Sequence, residues 1–124
     1  MRFVYEHRKT AQAASYLLSL ADGSMNYMVL IKLLYLSDRR SLIETGVPIT
    51  GDQMVAMPHG PVLSQTYDQI NMASPVEPEA SAPWFEYITE PSDYAVSAKK
   101  APELDELSQY ELDVLARRSS GLAK

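Results

Sequence analysis

The N-terminal half of the chain has apolar residues at helical spacing. Over residues 9–22 they recur at positions i, i+3, i+4 and i+7, which gives a helix one apolar stripe, and Gly23 follows as a residue that often ends helices. This spacing predicts a surface helix that turns one face inward. A second helix is predicted over about residues 26–45, because side chains at 24–26 can cap its start and Gly46 can end it.

The second predicted helix is apolar on nearly every side. Between residues 27 and 36 the only charged side chain is Lys32. A helix of this kind is surrounded by other elements rather than lying on a surface. We therefore expect it to be the central helix of the fold.

Residues 46–124 combine strand and helix signals. Proline and glycine interrupt the chain at 48–61, aromatic and β-branched residues favour strands at 84–98, and Ser108 and Glu111 have the S-x-x-E spacing of a capping box. The predicted fold class is α+β and mainly helical, with about four helices around the central one. Its further elements are a short strand near 53–57, a helix from Pro61 to about 73, an exposed loop at 74–83, a β-hairpin near 84–98 and a helix beginning at Ser108.

Composition narrows the possible classes of protein. Apolar residues make up 46% of the 124 residues and charged residues 22%, as in ordinary globular domains. The chain has no cysteine, which excludes disulfides and thiolate metal sites, and no apolar run reaches the about 20 residues that a membrane-spanning helix needs. We expect a single cytoplasmic domain over residues 1–118, without a membrane partner and with a frayed tail at 119–124.

The charge distribution argues against a nucleic-acid partner. The net charge is -5, whereas proteins that bind by neutralising phosphates carry a basic face. Residues 71–116 hold ten acidic residues against two lysines. This acidic half is either a solvated surface that keeps the chain soluble or a surface that steers a basic partner.

A polar cluster at residues 37–40 interrupts the central helix. Asp38 shares a helix face with Ile31 and Tyr35, so its carboxylate needs hydrogen-bonding partners to offset the cost of desolvation. We expect Asp38 to satisfy a backbone turn or to pair with an arginine. Arg39 and Arg40 are candidate partner-binding residues, because guanidinium groups suit ion pairs at interfaces.

Catalytic chemistry has few candidate residues. Of the two histidines, His59 lies between proline and glycine, which fix the backbone around its ring. A small hydrolase using His59 with Asp38 or Asp52 is an alternative, but the main expectation for His59 is a structural or partner-binding role. No metal-site or phosphate-loop spacing occurs, and we expect no catalytic residue, metal or cofactor.

The predicted hairpin is rich in aromatic residues. Alternation along two strands places half of these side chains on each face, so some of them should be exposed. Exposed aromatic rings are common at protein interfaces. The candidate partner-binding aromatics are Trp84, Phe85, Tyr87 and Tyr94.

The order of these segments resembles the Panacea domain family, which includes SocA-like antitoxins and GepA-type phage-associated proteins. The resemblance is carried by KLLYLSDR at 32–39, PITGD at 48–52, VAMPHGPV at 55–62 and YD at 67–68, and it extends over about residues 8–115. It implies a mainly helical fold with a small β element, no catalysis and no cofactor. The recurrent residues of the family correspond here to Lys32, Tyr35, Asp38, Arg39, Thr50, Gly51, His59, Gly60 and Pro61.

The resemblance also implies a function. Members of the family are antitoxins that neutralise a toxin encoded beside them by direct protein–protein binding. An adaptor that delivers a partner to an ATP-dependent protease is an alternative. Because family members usually continue beyond the equivalent of Leu115 with more helix, we expect a short C-terminus that leaves apolar surface for a partner chain or for self-association into a homo-oligomer.

Overall fold

The computed structural model describes residues 3–58, 60–71 and 78–122. Within them it contains five helices and two small antiparallel sheets, which confirms the mainly helical α+β class. The helices are α1 (His7–Leu20), α2 (Tyr27–Thr45), α3 (Ser64–Asn71), α4 (Pro78–Tyr87) and α5 (Gln109–Leu122). The strands are β1 (Ser24–Asn26), β2 (Met54–Met57), β3 (Gly60–Leu63) and β4 (Ala95–Ser97).

Helix α2 is the central helix, as its sequence predicts. Its start is capped by Asn26, whose side chain accepts a hydrogen bond from the backbone N–H of Met28 at 2.8 Å. It ends at Gly46, which has the left-handed conformation with φ 85°. Helices α1 and α5 and strand β3 pack around α2 and bury its apolar residues Leu30, Ile31, Leu33 and Leu34.

Helix α1 is more deeply buried than its single apolar stripe predicts. All residues from Thr10 to Ser15 are buried, including the polar Gln12. The Gln12 side chain donates to Asp105 at 3.0 Å and accepts from the backbone N–H of Glu106 at 2.9 Å. The segment before α5 therefore covers the polar side of α1, and the prediction of a surface helix is wrong on this point.

The predicted strand near 53–57 is confirmed as β2, but the helix predicted from Pro61 begins later. Strand β3 pairs antiparallel with β2, with Val55 opposite Val62, and α3 starts only at Ser64. Pro61 lies in a strand at the edge of this two-stranded sheet, where its missing N–H costs no ladder hydrogen bond. The pairing of Val55 with Val62 across the turn, rather than helical propensity, explains why residues 60–63 form a strand.

The β-hairpin near 84–98 is only partly correct. Its predicted first strand is the end of α4, and β4 pairs with β1, with Val96 opposite Met25. Trp84, Tyr87 and Ile88 are buried together because their i, i+3, i+4 spacing forms one helical face against α1. Aromatic content favoured a strand there, whereas this spacing favours the helix that forms. The loop predicted at 74–83 is helical from 78, and residues 72–77 lie outside the described residues.

Helix α5 begins where the capping box predicts. The backbone N–H of Ser108 donates to the Glu111 carboxylate at 2.9 Å, and the N–H of Glu111 donates to Ser108 Oγ at 3.1 Å. The other Glu111 oxygen lies 2.6 Å from Lys9 Nζ, which joins α5 to α1. The helix reaches Leu122, and the fraying of 119–124 and the domain boundary at 118 stay predictions.

We expect Gly51→Ala to destabilise the fold much more than Gly46→Ala. Both glycines have positive φ, 78° and 85°, so an alanine is strained at either position. A Cβ at Gly51 would also overlap the carbonyl oxygen of Val4, whereas no atom of the described residues lies within 4 Å of one at Gly46. Urea unfolding should give a loss of about 1 kcal/mol for Gly46→Ala and of about 3 kcal/mol or more for Gly51→Ala. Equal losses would contradict the close contact.

Candidate functional site

Asp38 fixes the end of the central helix to the turn that follows it. Its side chain is fully buried, and one carboxylate oxygen accepts the backbone N–H groups of Ile49 and Thr50 at 3.0 and 2.9 Å. The other oxygen accepts the Thr50 hydroxyl at 2.5 Å. Of the two expectations for Asp38, the backbone turn is therefore confirmed and the arginine pair is not.

Asp52 is a second buried carboxylate beside the first. It accepts the backbone N–H groups of Gln65 and Thr66, both at 2.9 Å, and the Thr66 hydroxyl at 2.8 Å. These are free N–H groups of the first turn of α3, so Asp52 caps that helix from a distant segment. Thr50 Oγ1 accepts the Asp52 N–H at 3.1 Å and thereby joins the two carboxylates into one network.

The network continues into the N-terminal segment. The Tyr5 hydroxyl lies 3.1 Å from Thr66 Oγ1 and donates to Gln69 Oε1 at 3.2 Å, and Gln69 Nε2 lies 2.9 Å from His7 Nδ1. Burial raises the pKa of Tyr5 far above its ordinary value. Burial also lowers the pKa of His7, and the nearby Asp52 charge opposes this second shift. The groups of this network bond to one another, so it holds α2, α3 and the N-terminus in one arrangement.

The network offers little access for catalysis. Both Asp38 oxygens accept hydrogen bonds inside the protein, and 0% of the residue is exposed. A general base has to reach a proton on the substrate. Asp38 therefore does not fit the hydrolase alternative, and His59 lies outside the described residues.

Arg39 and Arg40 follow Asp38 on α2 and lie on the opposite, outer side of the helix. Together with Leu36, Ile43 and Arg118 they line an open pocket of about 270 Å³ between α2 and α5, here called the arginine pocket. Arg40 lies 3.8 Å from Glu44 on the next turn. Arg39 and Arg40, which the sequence predicts to bind a partner, thus lie in a concave part of the surface.

Exposed apolar side chains adjoin the arginine pocket. Ile43 is 69% exposed, and Leu42, which precedes it on α2, is also exposed. The Tyr110 hydroxyl of α5 donates to Glu44 at 2.6 Å and ties the rim of the pocket to α2; this bond raises the pKa of Tyr110. Exposed apolar residues beside fixed charges are typical of a protein-binding surface.

The predicted aromatic surface is largely in the core. Trp84 and Tyr87 are fully buried against α1, and Phe85 is only partly exposed, because all three belong to α4 rather than to a two-stranded hairpin. The Tyr87 hydroxyl donates to Glu103 at 2.5 Å. Trp84 and Tyr87 are thus core residues rather than partner-binding ones. Tyr94 is 69% exposed and remains a candidate.

The other motif residues have structural surroundings. Thr50 is buried in the Asp38 network, and Tyr35 packs against the core from a partly buried position. Lys32 is exposed on α2, and a Cβ at Gly60 would lie 3.5 Å from its ammonium nitrogen. Pro61 lies opposite Ala56 in the β2–β3 pair.

Sequence reasoning missed three features of the site. Arg118 is not among the residues that the sequence predicts to bind a partner, yet the fold brings it to the arginine pocket. The pairing of Asp52 with the start of α3 spans more than ten residues and has no local signature. Ile43 belongs to the apolar pattern of α2, and only its position on the outer face of that helix shows that it is exposed.

In the part of the chain that the structure describes, no group of three or more histidine, cysteine or acidic side chains is placed to hold a metal ion. Among the same residues, no helix has the length and apolar character required to cross a membrane.

The chain is similar to a known family of protein domains. The model of the family described as antitoxin SocA-like, Panacea domain, matches residues 30–119, which is most of the chain and includes every residue of the arginine pocket. No curated protein and no solved structure matches the chain.

We expect Asp38→Asn to change how stability depends on pH. Burial raises the pKa of Asp38 to about 6, against the opposing effect of its hydrogen bonds, so the folded chain holds this proton more tightly than the unfolded chain does. The contribution of Asp38 to the free energy of unfolding should therefore fall by about 3 kcal/mol as the pH rises from about 3 to about 7, most steeply between the two pKa values. Asparagine does not titrate, so urea unfolding should show the wild type losing stability relative to Asp38→Asn over this interval.

The exposed Asp113 provides a matched control for Asp38. Asp113→Asn makes the same chemical change on the surface of α5 and should give a profile parallel to that of the wild type. A wild type that gains stability relative to Asp38→Asn as the pH rises would show that the three hydrogen bonds outweigh desolvation, contrary to the prediction.

Proposed function

Because this chain belongs to the family of SocA-like antitoxins with a Panacea domain, we propose that it neutralises a partner toxin by direct binding through the arginine pocket and the apolar residues beside it. The family match over residues 30–119 is the observation that carries the proposal. The partner is a toxin encoded near this chain, in the cytoplasm. The mechanism is the formation of a protein complex, without catalysis or cofactor.

The exposed apolar residues favour this surface as the binding site. Ile43 is more than half exposed in the last turns of α2, where a partner can remove it from water. Burying one aliphatic side chain contributes about 1.5–3 kcal/mol. Interface arginines add directional ion pairs around such an apolar centre.

The Asp38 network favours the same surface by making it rigid. Asp38 and Arg39 are adjacent on α2, so the hydrogen bonds that hold the Asp38 carboxylate also fix the direction in which the Arg39 side chain leaves the helix. A site that is ordered before binding loses less conformational entropy when the partner arrives. Asp38 thus anchors α2 on its inner side, while the adjacent Arg39 provides a contact on its outer side.

We expect Ile43→Asp to abolish toxin neutralisation. The test co-expresses the chain with the protein encoded beside its gene and measures growth and, with purified proteins, the dissociation constant. Wild-type chain should restore growth, whereas Ile43→Asp should weaken binding by about 30-fold or more, as for a hot-spot residue. The chain should act without lowering the amount of its partner, because a shorter half-life would indicate the adaptor alternative.

Val29→Asp is the matched control. Val29 is 43% exposed and lies on the same helix, about 21 Å from Ile43 by the rise of an α-helix. This variant should neutralise as well as the wild type. If neither the wild type nor Val29→Asp binds or neutralises the toxic product of the neighbouring gene, the proposed function is wrong.

A further inference from the structure

The arginine pocket carries positive charge on an acidic protein. The chain has a net charge of -5, yet three of its six arginines line this one pocket. Within residues 3–58, 60–71 and 78–122, Arg39 forms no ion pair, and the only acid paired with a pocket arginine is Glu44. Such a local concentration of unneutralised guanidinium groups attracts an anion.

Arg118 supplies a hydrogen-bond donor that points to the same conclusion. Its Nε is buried and has no hydrogen-bond partner among the described residues. A buried donor that stays unpaired carries a cost of about 1–3 kcal/mol. A carboxylate in the pocket would satisfy this donor, since the fork of a guanidinium group matches the two oxygens of a carboxylate.

The size and walls of the pocket restrict what can occupy it. Its volume of about 270 Å³ is below the roughly 300–1,000 Å³ of most small-molecule sites, so a single side chain suits it better than a cofactor. Leu36 and the exposed Ile43 form its apolar part. A phosphate group would leave these carbons in contact with water, and a nucleic acid binds through many phosphate contacts, whereas this pocket supplies three arginines.

We propose that the arginine pocket receives an aspartate or glutamate side chain of a partner protein, with a neighbouring apolar side chain of that partner packed on Ile43. This inference rests on the proposed antitoxin function and adds the chemistry of the partner. Although the chain as a whole is acidic, this pocket is basic, and it recognises acidic residues of the partner.

Glu44 limits the strength of the pocket. Its carboxylate lies 3.8 Å from Arg40 and accepts the Tyr110 hydroxyl, so it competes with an incoming carboxylate for the same guanidinium group. Glu44→Gln keeps an oxygen that can accept from Tyr110 but removes the negative charge. Binding of an acidic segment should therefore become about threefold tighter in this variant, the size of a weak charge–charge interaction.

The test selects ligands without assuming which toxin is involved. A display library of short random peptides is panned on the purified wild-type chain and, in parallel, on the Arg39→Gln/Arg118→Gln double variant. The wild type should enrich peptides with aspartate or glutamate next to leucine, isoleucine or phenylalanine, and the double variant should not. Enrichment without acidic residues, or the same enrichment on both proteins, would overturn the proposal.

Calorimetry on the most enriched peptide makes the test quantitative. Replacing its acidic residue by the corresponding amide, or Arg39 by Gln, should weaken binding by about tenfold, whereas Lys32→Gln on the same helix should leave it unchanged. Inorganic phosphate is the competing probe. If it perturbs the NMR signals of the Arg39 and Arg118 guanidinium groups and displaces the peptide at equal concentration, the pocket is a phosphate site and the proposal is wrong.

Toxin neutralisation is measured separately to keep the two proposals distinct. If the wild type and the double variant neutralise the neighbouring toxin equally well, the pocket inference fails; the antitoxin activity of the proposed function then stands, but its assignment to the arginine pocket does not. If acidic peptides bind the pocket but the wild type neutralises no toxin, the proposed function fails and the chemistry of the pocket stands.

Discussion

The buried carboxylate of Asp38 is the interaction on which the arrangement of this protein depends. An ionised carboxylate inside an apolar core is costly unless hydrogen bonds replace the water that it loses. Here two backbone N–H groups and the Thr50 hydroxyl replace that water, and all of them come from the turn after α2. The turn can take only the path that brings these donors to Asp38, and the β2–β3 sheet and α3 follow from that path.

The same network explains why binding and structural roles lie so close together in the sequence. Consecutive residues of a helix point in different directions, so Asp38 faces the core while Arg39 faces the solvent. Asp52 extends the network by capping α3, and Tyr5 connects it to the N-terminal segment. The outer surface of α2 is consequently supported by bonds from three separate parts of the chain.

The net charge of the chain does not show how charged residues are distributed over its surface. The chain is acidic, and its second half holds most of the acids, which suggests a basic partner. The fold nevertheless brings Arg118, from that second half, next to Arg39 and Arg40. In salt solution, electrostatic interactions extend only about 8–10 Å. A partner at this pocket therefore interacts with the three arginines more strongly than with the net charge of the chain.

Some features of this protein were determined by its sequence because they depend on local physics. The all-apolar central helix, its glycine end and the Ser108–Glu111 capping box are set by residues a few positions apart, and so is the burial of Asp38 on the apolar face of α2. The order of the motif segments likewise identified the family. Tertiary structure decided the rest: that Trp84 and Tyr87 pack on α1, that β4 pairs with β1, and that Arg118 completes the pocket. Each of these contacts forms between residues that are far apart in the sequence. The spacing of residues within one segment therefore cannot predict which distant segment will cover a given side chain.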